Sequence, residues 1–568
     1  MRSLTSLCST ERSETPHVVS YGSATISPTS DRARSALPFR RTIRFPRGAR
    51  RLAFADAMSA PIPRPLSRRD LLRGIAGIGV GAAFGGCASP IRDGTDRPPK
   101  PNAITRENAR PGTLEWMLTS PRIEPTSRYR CPWIEGYCSH ARARAGETVR
   151  FFAGTDPASD FRLDIYRLGY YGGTGGRHMA SLGPFKGATQ PVPEVGAKRL
   201  RDCAWTPCAE LIIPADWVSG VYLGKLTAEQ GGVQSYVVFI VRDDRRADLM
   251  FQCSDHTWQA YNRWPDQFSL YDDGKDQWYW GGGVQVGFDR PYGKYCQIFD
   301  APLSTGSGEF LLWEFPTAYW LEALGYDVTY VSNQDTHGDP RGLRRAKGFL
   351  SVGHDEYWSI EMFRNLQSAV ADGLSVAFLS GNTCCGRIVF SPDGRGVPDR
   401  VFERVGVFGP PGGTRDFVAM ASLAHERPYA NELVGAHSTG PVTGGADWTC
   451  HRPDHWIFAG TGMKKGDGIP GLVGWEWHGD PAPIPGLEIV ATGPTQSAPG
   501  KPNDGIFTAT VYPGPKGNFV FNAATIWWGD GLSAPPGYVR PSVYTTPQGP
   551  DPRVQRITRN ILSRMIGG

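Results

Sequence analysis

Over the first folded stretch of the chain, apolar and polar positions alternate in short runs. Residues 147–152, 162–168, 209–213, 220–226 and 235–241 are such runs, each bounded by turn residues. Period-two runs at regular spacing with little helical signal predict a β-sandwich over residues 113–244, of the Ig-like kind. The connection Tyr170-Tyr171-Gly172-Gly173-Thr174-Gly175-Gly176-Arg177 is dense in glycine. It lacks the Lys-Ser/Thr ending and the following helix of a phosphate loop, so it reads as a tight hairpin or surface loop.

Beyond Arg246 the pattern changes. Short apolar strands are expected at 248–252, 326–331, 347–350 and 374–379. Between them, 317–324 and 360–371 carry helical periodicity, with Gly325 as a C-terminal cap and Ser359 as an N-terminal cap. Strand–helix alternation of this kind predicts a parallel, doubly wound α/β sheet over residues 245–568. Residues 385–510 read as loop-rich, 517–524 as a last strand, and 553–565 as a closing helix with Val554, Ile557, Ile561 and Leu562 on one face.

Polar groups gather where these strands end. The run Ser351-Val352-Gly353-His354-Asp355-Glu356-Tyr357-Trp358-Ser359 brings an imidazole and two carboxylates to one strand end. If the chain is still extended there, His354 and Glu356 project to the same side, where a metal ion or a polarised substrate fits between them. The plainer alternative is a helix start with solvated charges. Ser254-Asp255-His256-Thr257-Trp258-Gln259-Ala260-Tyr261-Asn262 follows another strand, and Ser380-Gly381-Asn382 a third. Ligands of open α/β sheets bind at such carboxyl ends.

The N-terminus changes the charge picture. Ser67-Arg68-Arg69-Asp70-Leu71-Leu72 is a twin-arginine motif, followed by a weakly apolar run and Gly85-Gly86-Cys87-Ala88. This predicts an export signal over 58–87, with a periplasmic or cell-surface destination. Small residues before Cys87 resemble a lipoprotein cleavage box, so Cys87 is a candidate for lipidation and membrane anchoring; cleavage at an ordinary signal-peptidase site is the alternative. Residues 1–57, rich in Arg and Ser, read as a disordered or over-extended leader, with Met58 a candidate start. Residues 1–87 hold fourteen Arg, no Lys and five acids, a net +9, so the formal +6 of the whole chain becomes about −3 for the remainder. No basic stripe points to nucleic acid. Residues 88–112, rich in Pro, Arg and Asn, read as a linker. Nine cysteines follow Cys87, with Cys131/Cys138 and Cys203/Cys208 close enough for two small disulfide loops. The odd count leaves at least one thiol unpaired.

Taken together, Tyr166-Arg167-Leu168-Gly169-Tyr170-Tyr171-Gly172-Gly173, Thr257-Trp258-Gln259-Ala260-Tyr261-Asn262, the run around His354 and Ser380-Gly381-Asn382 resemble the C-terminal region of the N,N-dimethylformamidase large subunit. The resemblance covers about residues 150–565. It implies a β-sandwich joined to a glutamine-amidotransferase-like α/β domain. It also implies a mononuclear Fe(III) held by two tyrosinates and a glutamate, activating water to hydrolyse a small amide substrate. Carried over residue by residue, Glu356 is the carboxylate ligand and Tyr261 the first tyrosine. Tyr292, in Asp289-Arg290-Pro291-Tyr292, is the second, with Tyr271 as its alternative. His354 is the second-sphere or proton-transfer histidine, Asn382 a substrate-orienting amide, and Glu476, between Trp475 and Trp477, a further acid. Carboxylate and phenolate are hard donors that suit Fe(III).

This chain departs from that family's enzyme in carrying an export signal and in lacking a long N-terminal extension. Three readings are open: an iron-dependent amidohydrolase of the cell envelope; a non-catalytic envelope protein that holds a glycan or protein partner on its aromatic loops; and a thiol enzyme using Cys384 or Cys385. Against the last, 386–390 reads as extended, with no strand–nucleophile–helix elbow. The sequence is compatible with an oligomer.

Overall fold

The computed structural model describes residues 101–567, apart from 123–128, 276–277, 294, 297–298, 301, 413–414, 497–502, 539 and 541–548. The twin-arginine segment and Cys87 lie outside the described residues. Part of the expected linker does not behave as one. Ala103–Asn108 is a helix closed by a capping box on Asn102, with Ile104 and Glu107 buried, and Asn102 Nδ2 donates to Gly325 O at 2.9 Å. An Asn followed three residues on by Thr is a helix-start signal that the surrounding Pro and Arg mask.

The alternating runs form two sheets. One has five strands, in the order Arg142–Ala143, Gln234–Val241, Gly220–Ala228, Asp160–Leu168 and Gly176–Lys186. The other has three, Glu135–Cys138, Thr148–Gly154 and Ala209–Ile212. Their inward residues, among them Val149, Phe151, Leu163, Ile165, Tyr222 and Phe239, make one core. The two expected disulfides are not formed: Cys138, Cys203 and Cys208 are free thiols. In the second pair, sequence proximity misleads because the two thiols belong to different surroundings. Cys203 packs with Tyr137, Trp205 and Trp264, whereas Cys208 Sγ donates to Phe151 O.

The second half is built on a nine-stranded sheet. Its strands are β1 (Ala247–Cys253), β2 (Val328–Ser332), β3 (Ala346–Gly353), β4 (Ser375–Ser380), β5 (Ala436–Thr449), β6 (Gly468–Pro481), β7 (Glu488–Gln496), β8 (Asn503–Pro513) and β9 (Phe519–Asn522). The order across the sheet is β2-β1-β3-β4-β9-β8-β7-β5-β6. The first five are parallel to their neighbours and buried on both faces, as their continuous apolar runs require. The helices expected from periodicity are present as α1 (Phe315–Ala323) and α2 (Ile360–Ala371), and Ser359 Oγ accepts from Met362 N–H at 3.1 Å to cap the latter. A closing helix covers Pro552–Gly567, with Val554, Ile557, Ile561 and Leu562 buried. The expectation of a loop-rich 385–510 is corrected, because β5 to β8 extend the sheet by antiparallel pairing. Repeated register shifts in the β5–β6 pair explain the miss: each bulge breaks the period-two pattern by which strands are recognised.

The two halves are joined by a buried clamp. Arg167, from the motif Tyr166-Arg167-Leu168-Gly169, forms a fully buried ion pair with Glu322 of α1 at 2.8 Å. Tyr330 OH and Asn108 Nδ2 also donate to Glu322, at 2.9 and 2.8 Å. Gly169 is glycine for a local reason, since a Cβ there would lie 2.3 Å from Glu322 Oε2. Among the described residues no helix is long and apolar enough to cross a membrane.

Candidate functional site

Numbered by their sequence succession, the parallel strands run 2-1-3-4-5, so the chain reverses direction across the sheet between β1 and β3. That is the topological switch point, where α/β sheets open a crevice at the carboxyl ends of their strands. Both strands deliver side chains there. After β1, the helix Asp255–Tyr261 carries Tyr261 inward. β3 ends at Gly353 in a left-handed conformation (φ 72°), where a Cβ would lie 2.7 Å from Trp313 Cβ and 3.0 Å from Glu314 Cγ.

Past that turn, side chains alternate as an extended chain requires. Asp355 turns to one side and accepts from Gln252 Nε2, Ser351 Oγ and Asn333 Nδ2 at 2.6, 2.7 and 2.9 Å; it ties the ends of β1, β2 and β3 together. His354 and Glu356 turn to the other side, with Nε2 and Oε2 3.3 Å apart. Glu476, from β6, meets the same His354 Nε2. The ligand atoms of His354, Glu356 and Glu476 all lie within 4.8 Å of one another, and the three residues are buried, an arrangement able to hold a metal ion.

Two tyrosines close on Glu356 from the opposite side. Tyr261 OH donates to Oε2 at 2.7 Å and Tyr271 OH to Oε1 at 3.0 Å, and the two phenolic oxygens are 2.8 Å apart. Tyr271 also accepts from Tyr357 OH at 2.5 Å, which in turn accepts from Arg404 Nη1 at 2.9 Å. Tyr292, the first choice for the second tyrosine, is placed elsewhere. It stacks edge-on against Trp258 and lines a small cavity with Tyr137, Gln259 and Arg290. The alternative, Tyr271, joins Tyr261 and Glu356.

Asn382 follows β4 in a left-handed turn (φ 52°), a conformation Asn tolerates better than most residues. It hydrogen-bonds Glu476, and its Oδ1 is buried with no hydrogen-bond partner among the described residues. Gly381 allows this turn to lie against β6, because a Cβ would fall 2.2 Å from Glu476 O. His478, two residues along β6, fixes the other side of the turn. Its Nε2 accepts the Thr383 N–H at 3.0 Å, so its Nδ1–H donates to Asn522 Oδ1 at 2.6 Å. Burial lowers its pKa to about 4, and the neutral tautomer is locked.

The electrostatics follow from burial and charge. Burial, reinforced by the Glu356 carboxylate, raises both Tyr261 and Tyr271 well above the usual phenol range, so without a cation both are neutral donors. Burial alone would favour neutral His354, but Glu476 and Glu356 outweigh it and hold the imidazole well above its ordinary pKa. Glu309 is raised to about 8, first by burial and also by Glu476 and Glu356, with His354 and the Trp313 hydrogen bond opposing. Tyr357, Arg404, Glu309 and His478 escaped the sequence reading. Arg404 carried one signal, a cation inside the apolar strand Val401–Val407.

The donor set of Tyr261, Tyr271 and Glu356 fits a hard trivalent cation: three oxygens, sealed from water, with two phenol protons that a cation would displace. Cys384 and Cys385 do not make a nucleophile site. Both are buried, burial raises the Cys384 thiol, and the strand Gly386–Ser391 follows them. Among the described residues every aromatic side chain is buried or half-buried. No curated protein matches this sequence closely enough to serve as a relative. A family profile described as "N,N-dimethylformamidase beta subunit-like, C-terminal" matches residues 162–541. That span contains the sheet, the switch point and every residue of the cluster, and the chain belongs to this family.

Proposed function

We propose that the protein is an exported hydrolase that cleaves the C–N bond of a small amide, with Tyr261, Tyr271 and Glu356 holding a ferric ion. The observation that carries the reading is the bracketing of one buried carboxylate by two phenols, beside a buried imidazole–carboxylate pair. Such an ion, when bound, supplies Lewis acidity toward a carbonyl oxygen and lowers the pKa of water. Glu476, aligned by His354 and Asn382, is the base that takes the proton of the attacking water. The Asn382 side chain orients the substrate and supplies a donor toward the developing oxyanion; loss of one such donor typically costs about 100- to 1000-fold in rate. Its partnerless Oδ1 accepts from water or from a substrate N–H. Asp355 and His478 hold the strand ends and keep these groups in register. Arg404, buried beneath Tyr357 and Tyr271, favours the anionic form of the tyrosine pair.

We read the sandwich as Ig-like and the α/β part as amidotransferase-like, a reading that the 2-1-3-4-5 strand order supports. The twin-arginine segment supports a periplasmic or cell-surface location, with Cys87 as the lipid attachment point. The decisive experiment is metal content and visible absorbance of protein purified without chelator, for wild type and Glu356→Gln. About one iron per chain with a tyrosinate charge-transfer band, both lost in the variant, is expected. A colourless, metal-free wild type after iron reconstitution would refute the reading.

A further inference from the structure

A further buried acid lies near the cluster, outside the residues that the family resemblance assigns. Glu309 is 2 % exposed and opens the short helix Phe310–Trp313. The same turn packs on the strand end that delivers His354, since Trp313 Cβ and Glu314 Cγ are what a Gly353 side chain would strike. The two acids flanking this turn have different fates. Glu314 is fully engaged, accepting from Trp258 Nε1 at 2.6 Å and facing the Ser254 N–H at 3.4 Å. In Glu309, Oε2 accepts from Trp313 Nε1 at 3.2 Å, while Oε1 is buried with no hydrogen-bond partner among the described residues.

The strongest charges acting on Glu309 are those of His354, Glu476 and Glu356, which puts this acid within electrostatic reach of the site. A buried oxygen without a partner is destabilising, and such a cost is commonly retained where a ligand supplies the missing partner. His354 is poorly suited to protonate a departing group, because its Nε2 is already shared between Glu356 and Glu476.

Resting on the amide-hydrolase reading, we propose that Glu309 is the general acid of this site and protonates the departing amine through Oε1. Its raised pKa of about 8 keeps it a neutral acid at neutral pH, as the role requires. The step balances. Water adds its oxygen to the carbonyl carbon and gives one proton to Glu476. The C–N bond breaks, the nitrogen keeps the bonding pair and takes the Glu309 proton, and a carboxylic acid and an amine are released. The proton held at Glu476 then restores Glu309. The class of substrate follows: amides of basic alkylamines, whose nitrogen cannot leave unprotonated, depend on Glu309, whereas amides of weakly basic anilines do not.

The test is Glu309→Gln on the metal-loaded, full-length protein, assayed with an N-alkylformamide and with a nitro-substituted formanilide. Gln keeps an acceptor for Trp313 and removes the acid. Turnover of the alkyl amide is expected to fall about 100- to 10,000-fold, turnover of the anilide less than about tenfold, with iron content and visible band unchanged. Equal losses on both substrates, or no loss on either, would overturn the proposal. If Glu309→Gln does not fold, Glu309→Asp, which keeps the acid one methylene short, must retain the same selective defect in milder form. Wild type inactive on both substrates would sink the hydrolase reading itself. The infrared carboxylic-acid stretch then decides separately: a band present in wild type and missing in Glu309→Gln supports the proton assigned to Glu309, and identical spectra overturn it.

Discussion

Replacing Glu322 by Gln tests how firmly the sandwich is locked to the α/β half. In the wild type, Glu322 accepts from both Arg167 terminal nitrogens, at 2.8 and 3.1 Å, from Tyr330 OH and from Asn108 Nδ2. All four donors need a carboxylate, and a Gln presents an NH2 group to at least one of them. The guanidinium would be left buried with the Val218, Ser219 and Leu168 carbonyls and Tyr171 OH, and no anion. Removing one partner of a buried ion pair typically costs about 3–5 kcal/mol; the remaining acceptors place this case near about 3 kcal/mol. Against a typical total of about 5–15 kcal/mol, that is a large loss. Urea unfolding followed by both tryptophan emission and far-ultraviolet circular dichroism should show a lower midpoint at unchanged slope. The pair Arg167→Met with Glu322→Met should recover much of the loss, because no charge is then stranded. A cost below about 1 kcal/mol for Glu322→Gln, or a double variant worse than the single one, would refute the reasoning.

Other outcomes follow from the site. In metal-free protein, Glu309 is protonated up to about pH 8 when folded but ionises near 4.5 when unfolded. Folded protein therefore binds the extra proton between those values, and its stability falls as pH rises through that window, by about 5 kcal/mol at most. Glu309→Gln should flatten this slope, and parallel stability–pH curves for the two proteins would count against a neutral Glu309. Iodoacetamide should leave Cys384 and Cys385 unmodified and activity intact in the folded protein, with both thiols reacting in urea; labelling that abolishes activity would revive the thiol reading. His478→Ala removes the acceptor for the Thr383 N–H and loosens the Asn382 turn. Turnover should fall about 100-fold, as for a 1 Å misplacement, with iron content kept; loss of iron instead would make His478 a support of the metal cluster.

The sequence exposed the parts of this protein that are local. Strands β1 to β4, helices α1 and α2, the Ser359 cap and the side on which His354 and Glu356 project all follow from periodicity and short-range chemistry. Tyr271 and Tyr292 were harder to separate, because each sits in an aromatic-rich stretch and only the folded chain decides which phenol reaches Glu356. The strands β5 to β8 were hidden by bulges and glycines. Glu309 and Arg404 had no motif around them, since their significance comes from partners far away in sequence. Cys203 and Cys208 are misleading for the same reason: spacing along the chain does not say what each thiol packs against.

The cluster draws its side chains from positions 261, 271, 354, 356, 382 and 476, on both the parallel and the antiparallel parts of the sheet. Five of the six precede β6 in the chain, and β6 adds the last when it lays Glu476 across the switch point. Contacts of such long sequence separation are slow to form. A truncation just before β6 should therefore leave Tyr261, Tyr271 and Glu356 in the chain while removing Glu476, the proposed base. Holding a cation and completing the base are thus separate demands on the chain, met by different stretches of it.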